Sequence, residues 1–94
     1  MTNSTSKRHM KVREDVLNYF LRFPEAADSL EGVARWRLRE EYIHSTLEET
    51  HLALEWLASH GFLISEELAS AEKVYLLNVA RREEAEKFLS RRRQ

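Results

Sequence analysis

Residues 46–64 read TLEETHLALEWLASHGFLI, and this stretch decides the fold. Thr46-Leu47-Glu48-Glu49 has the form of a capping box, in which the threonine hydroxyl serves an orphan amide and the glutamate reaches back to the cap. The helix it opens runs to about Ser59. His60-Gly61 closes it, because glycine takes the left-handed turn without steric penalty. Phe62-Leu63-Ile64 then breaks the helical spacing with a run of strand formers, and Val74-Tyr75-Leu76-Leu77 is a second such run. The two read as a hairpin. The segment between them, Ser65 to Lys73, has no turn glycine or proline and favours helix, so an all-helical 62–78 is the competing reading.

Outward toward the N-terminus, Val12, Val16, Phe20 and Phe23, with Leu17 and Tyr19 beside them, mark one face of a helix from Lys11 to Phe23. Pro24 stops it, since the residue before proline is pushed out of the helical region. A second helix should start at Asp28 or Ser29, either of which can cap it, and should carry Leu30, Val33 and Ala34 before ending near Arg37 to Arg39. Gly32 inside that helix costs about 1 kcal/mol against alanine, which predicts a close packing contact there. Tyr42-Ile43-His44 has the makings of a minimal strand. Toward the C-terminus, a last helix from about Ala80 to Ser90 has a thin apolar face of Ala85, Phe88 and Leu89.

The composition fits one domain of 94 residues, 43% hydrophobic and 33% charged, with two glycines, one proline and no cysteine. One modest core is what such a length can bury. The glycine and proline content speaks for a helix-rich globule, and the lack of cysteine suits a reducing cytosol, so a cytoplasmic location is expected. No apolar run approaches the roughly 18 residues of a membrane span, and Met1 to Met10 carries no apolar signal-peptide core. The expected organisation is a flexible basic arm over 1–10, a domain over 11–78, and a C-terminal helix with a basic tail over 79–94.

The net charge of −1 is unevenly spread. Residues 1–13 carry +4 and residues 80–94 carry +3, while 14–28 and 45–60 each carry −3 and 61–79 carry −2. Both ends are basic and the middle is acidic. A protein that reads DNA needs its positive charge beside its reading element.

The order helix, helix, short strand, helix, hairpin, helix resembles that of winged helix-turn-helix proteins. Thr50, Ala53, Leu54, Leu57, Gly61 and Leu63 occupy positions similar to those at the junction of the third helix and the wing in bacterial members, and Tyr75-Leu76-Leu77 looks like the returning wing strand. The segment from Phe23 to Leu38 also resembles a stretch in small bacterial proteins of this fold whose function is uncharacterised. The likeness covers about residues 11–78. It implies a mainly α domain with a small β-hairpin, a three-helix core plus wing and C-terminal helix, in a family that mostly binds DNA with its third helix in the major groove. Function still has to be argued from the residues.

On a helical wheel, Leu47, Thr50, Ala53, Leu54, Leu57 and Ala58 fall on the side of the third helix expected to face the core. The opposite side presents Glu48, Leu52, Glu55, Trp56 and Ser59, with Glu49 and His51 at its margins. Three glutamates and no lysine or arginine oppose the phosphate term that dominates DNA affinity. Leu52 and Trp56, one turn apart and ringed by acids, have instead the makeup of a protein-binding patch, unless Trp56 folds under the wing. The expected partner is therefore another protein or a second copy of the chain, through Glu48, Leu52, Glu55 and Trp56. DNA binding is the alternative, through Arg35, Trp36, Arg37 and Arg39 with Lys7, Arg8, Lys11 and Arg13, unless these arginines pair with nearby acids as ordinary surface charge.

Catalysis is not expected. Glu41-x-x-His44 and Glu48-x-x-His51 repeat a spacing used by carboxylate di-iron bundles, but that chemistry needs facing helices and two further glutamates. There is no glycine-rich phosphate loop and no cysteine nucleophile. No metal, cofactor or small-molecule substrate is expected, and no membrane partner.

Overall fold

The computed structural model describes residues 3–39 and 47–92. They form α1 (Asn3–Arg22), β1 (Ala27–Ser29), α2 (Leu30–Arg39), α3 (Leu47–Ser59), β2 (Leu63–Glu67), β3 (Lys73–Leu77) and α4 (Arg82–Arg92), the last entered through a single 3-10 turn at Val79–Arg81. The class is α+β, with an antiparallel three-stranded sheet in the order β1-β3-β2. No described helix is long and apolar enough to cross a membrane.

Each boundary has a local cause. Phe23 still donates to the Tyr19 carbonyl at 3.0 Å, and Pro24 then ends α1. Ser29 caps α2, its hydroxyl accepting from the Gly32 amide at 3.3 Å. The end of α3 is a Schellman turn: Phe62 donates to the Leu57 carbonyl at 2.9 Å and Gly61 to that of Ala58 at 3.1 Å. Gly61 sits at φ 83° to allow it.

The hairpin reading of 62–78 holds, and Ser65 pairs with Tyr75 at its middle. Its tip has no glycine because Ala71 takes the left-handed conformation itself, at φ 70°. Ala71 donates to the Leu68 carbonyl and Leu68 to that of Glu72, each at 2.8 Å, the pattern of a three-residue loop with a left-handed last residue.

Two expectations change. Residues 3–10, expected as an arm, continue α1 toward the N-terminus. The third strand of the sheet is Ala27–Ser29, paired with Leu76 to Val74, where sequence offered only a loop and a cap. The strand expected at Tyr42 to His44 lies outside the described residues, as do Thr46 of the capping box and the Glu41–His44 pair.

The core forms where the helices meet the inner face of the sheet. Val12, Val16, Leu17 and Phe20 of α1 pack with Val33, Ala53, Leu54 and Leu57 of the next two helices, and Leu63, Tyr75 and Leu77 close it from the sheet. The α4 face of Ala85, Phe88 and Leu89 joins this cluster as expected. Gly32 makes the close approach its position suggested: a Cβ there would stand 2.0 Å from Asp28 Oδ1. That carboxylate accepts from the Ser29 amide at 3.0 Å and from the Tyr19 hydroxyl at 2.7 Å, so it has little room to move. Burial, and then the Asp28 hydrogen bond, push the Tyr19 hydroxyl up to about 12.

Candidate interaction face of the third helix

The inner side of α3 is the one the wheel selects, for Thr50, Ala53, Leu54 and Leu57 are buried. Leu47 departs from it. It opens the helix and is 49% exposed.

The outward residues meet different fates. Leu52 is 48% exposed, and Glu48 is exposed beside it. Trp56 is half-buried and does not fold under the wing. Its ring stacks on His60 at 3.8 Å and 19°, lies 5.8 Å from the Phe88 ring of α4, and is covered by the Arg13 guanidinium 4.3 Å from its centroid. A guanidinium over an indole is a favourable cation–π arrangement, and here it ties α1 to the candidate face. Glu55 turns to the hairpin, accepting from the Tyr75 hydroxyl and from Lys73 Nζ at 3.1 Å, with His51 Nε2 at 3.8 Å.

Between α1 and α3 these side chains leave an open groove of about 480 Å³. Leu52, Ala53 and Trp56 form its apolar part, His9 and Arg13 stand on the α1 wall, and Glu49 and Glu55 on the α3 wall. Both charge signs therefore border an apolar strip.

The Tyr75 hydrogen bond, opposed by burial and aided by Lys73 and His51, holds the Glu55 carboxyl below its usual range. Burial and the same bond raise the Tyr75 hydroxyl. A depressed folded-state pKa stabilises above the unfolded value, and the contribution is lost as pH falls through the folded value. Wild type should therefore exceed Tyr75→Phe in stability at neutral pH, and the gap should close on acidification through the carboxylate range. Urea titrations of both proteins across that range check this; a gap independent of pH would mean that the carboxylate does not hold the tyrosine.

The basic residues expected to meet phosphate are largely engaged within the molecule. Arg37 is only 3% exposed, facing Asp15 of α1 at 3.6 Å and donating to Thr50 Oγ1 of α3 at 3.2 Å. It continues the buried face that Val33 begins one turn earlier, which corrects its assignment to a phosphate-facing strip. Trp36 packs on Tyr19, ring centroids 4.9 Å apart, so the alternation of cation and aromatic along α2 does not form one surface. Arg8 pairs with Glu49, and Lys11 pairs with Asp15 at 3.1 Å. The Glu49 carboxylate receives Arg8, while its expected reach back to the cap involves Thr46, which lies outside the described residues. Lys7 and Arg35 are exposed on α1 and α2, and Arg39 is the last residue of α2.

Sequence reasoning missed Asp15, His9 and Tyr75 as partners in these sites. The signal for Asp15 was present, since it lies three residues after Val12 on the buried face of α1. No protein family, characterised protein or solved structure matches the chain.

Proposed function

We propose that this chain is a winged-helix protein-interaction module whose contact face is the outward side of α3. The element order helix, strand, helix, helix, hairpin, with β3 between β1 and β2, supports the winged-helix reading. The observation that carries the functional reading is Leu52, exposed beside a half-buried Trp56 at the edge of a groove bordered by both charge signs. An apolar centre with a polar rim is the usual anatomy of a protein contact. The partner that fits is an amphipathic helix, with an apolar residue against Leu52 and Trp56 and a cation toward Glu48.

DNA binding by α2 and the basic ends is the weaker reading. It needs Arg37 at the surface, and Arg37 is in the core. The wing would also carry Glu66, Glu67 and Glu72 toward phosphates, where wings that grip DNA need cations.

The test is a photo-crosslinking residue at position 52, compared with one at position 35, in cells expressing the chain. A discrete adduct from position 52 that Glu48→Lys abolishes is expected. Equal adducts from both positions would overturn the reading, as would duplex DNA binding by the purified chain at about 50 mM salt that weakens steeply as salt rises.

A further inference from the structure

Among the described residues strand β2 pairs with β3 alone, which leaves its other edge open. Two hydrogen bonds fix which backbone groups face which way. Asn78 donates to the Phe62 carbonyl at 3.0 Å and Leu68 donates to that of Glu72 at 2.8 Å. Because residues of an antiparallel ladder alternate between bonded and non-bonded pairs, Phe62, Ile64, Glu66 and Leu68 turn their amides and carbonyls toward β3. Leu63, Ser65 and Glu67 turn theirs outward. An open edge with a row of unused backbone groups templates pairing with another strand.

A second surface lies at the start of the same strand. Phe62 and Phe88, ring centroids 5.3 Å apart, floor a recess of about 210 Å³ rimmed by Arg81, Lys87 and Arg91 with the single acid Glu84. At the far end of the hairpin the character is opposite, with Glu66, Glu67 and Glu72 around Leu68, itself 46% exposed.

We propose that two copies of this chain join along β2, in an antiparallel two-fold pairing centred on Ser65 that seats Leu68 of each copy on the Phe62–Phe88 floor of the other. The register follows from the open edge. Ser65 faces Ser65 of the second copy, Leu63 faces Glu67, and all three outward residues find backbone partners. That register also sets Leu68 opposite Phe62, and it brings the acidic tip of each hairpin to the other copy's Arg81, Lys87 and Arg91. No two acids stand directly opposite each other, which is what a self-complementary two-fold contact requires. The joined sheet has six strands. This surface is separate from the α3 face, so the dimer would present two such faces.

Light scattering and sedimentation of the full chain over a concentration series test the proposal, read alongside amide exchange. A concentration-dependent dimer is expected, with exchange at Leu63, Ser65 and Glu67 slowing as the dimer fills. Ser65→Pro removes an amide that β3 does not use, so the fold should persist with unchanged circular dichroism. The dimer should weaken by about 25-fold, each of two symmetry-related hydrogen bonds contributing about fivefold. Leu68→Lys should weaken it independently, and Lys87→Glu combined with Glu66→Lys should recover part of what Lys87→Glu loses. A monomer at all concentrations overturns the proposal. So does a dimer that Ser65→Pro leaves intact or that Leu52→Arg dissolves, since the contact then lies elsewhere.

Discussion

Arg37→Ala is expected to lower folding stability by about 3–5 kcal/mol, the loss typical when one member of a buried ion pair is removed. The magnitude comes from what is left behind. Asp15 is 6% exposed, and without the guanidinium its remaining cationic partner is Lys11, which reaches it from the solvent side. Thr50, fully buried, loses the hydrogen bond from Arg37 at the same time. A domain of this size has about 5–15 kcal/mol in total, so the variant should sit near the limit of folding. Urea unfolding measures it: the midpoint should fall sharply while the slope stays near wild type. Asp15→Leu combined with Arg37→Met should recover much of the loss, because an apolar replacement of both partners leaves no stranded charge. A loss under about 1 kcal/mol for Arg37→Ala, the range of exposed pairs, would mean that water reaches this network.

The second large effect separates the two sides of α3. Leu54→Ala should cost about 2–5 kcal/mol, since Leu54 is fully buried among α1, α2 and the sheet and its truncation leaves a cavity. Leu52→Ala, two residues away and half exposed, should change stability by no more than about 0.5 kcal/mol. The pair is best measured together by thermal and urea unfolding. A large loss at Leu52 would mean that its side chain supports the fold, and the proposed contact face would lose its centre.

Much of this architecture was legible before any coordinates. The Schellman turn at Gly61 follows from a glycine placed just past an amphipathic run, and the hairpin follows from two strand-forming runs despite an unfavourable tip. Ala71 bears that tip in a left-handed conformation that sequence rules reserve for glycine or asparagine. Strand β1 was not legible. Ala27, Asp28 and Ser29 have no strand propensity, and they are extended because β3 offers them an edge, a tertiary effect that overrides local preference.

The candidate site was legible in outline only. The wheel separated Leu54 from Leu52 correctly, but wheel position carries no information about what lies across from a side chain. Trp56 is half-covered because Arg13 and Phe88, 43 residues before it and 32 after, converge on it. Arg37 looked like surface charge because its acid sits on another helix. The transferable clue is a charge standing in register with an apolar face on each of two helices: Asp15 after Val12, and Arg37 after Val33.

The central place of β3 in the sheet also governs the order in which the chain can fold. Its hairpin partner β2 is a near neighbour along the chain, whereas β1 must close a loop of more than 40 residues to reach it. Short-range pairings form fastest, so the hairpin is the natural first half of the sheet, and β1 docks when the helices have collapsed. During synthesis, α1, α2 and α3 emerge before the central strand of the sheet they pack against. Until Lys73 to Leu77 has left the ribosome, the helices have no sheet to close against, and folding of this domain waits on its last quarter.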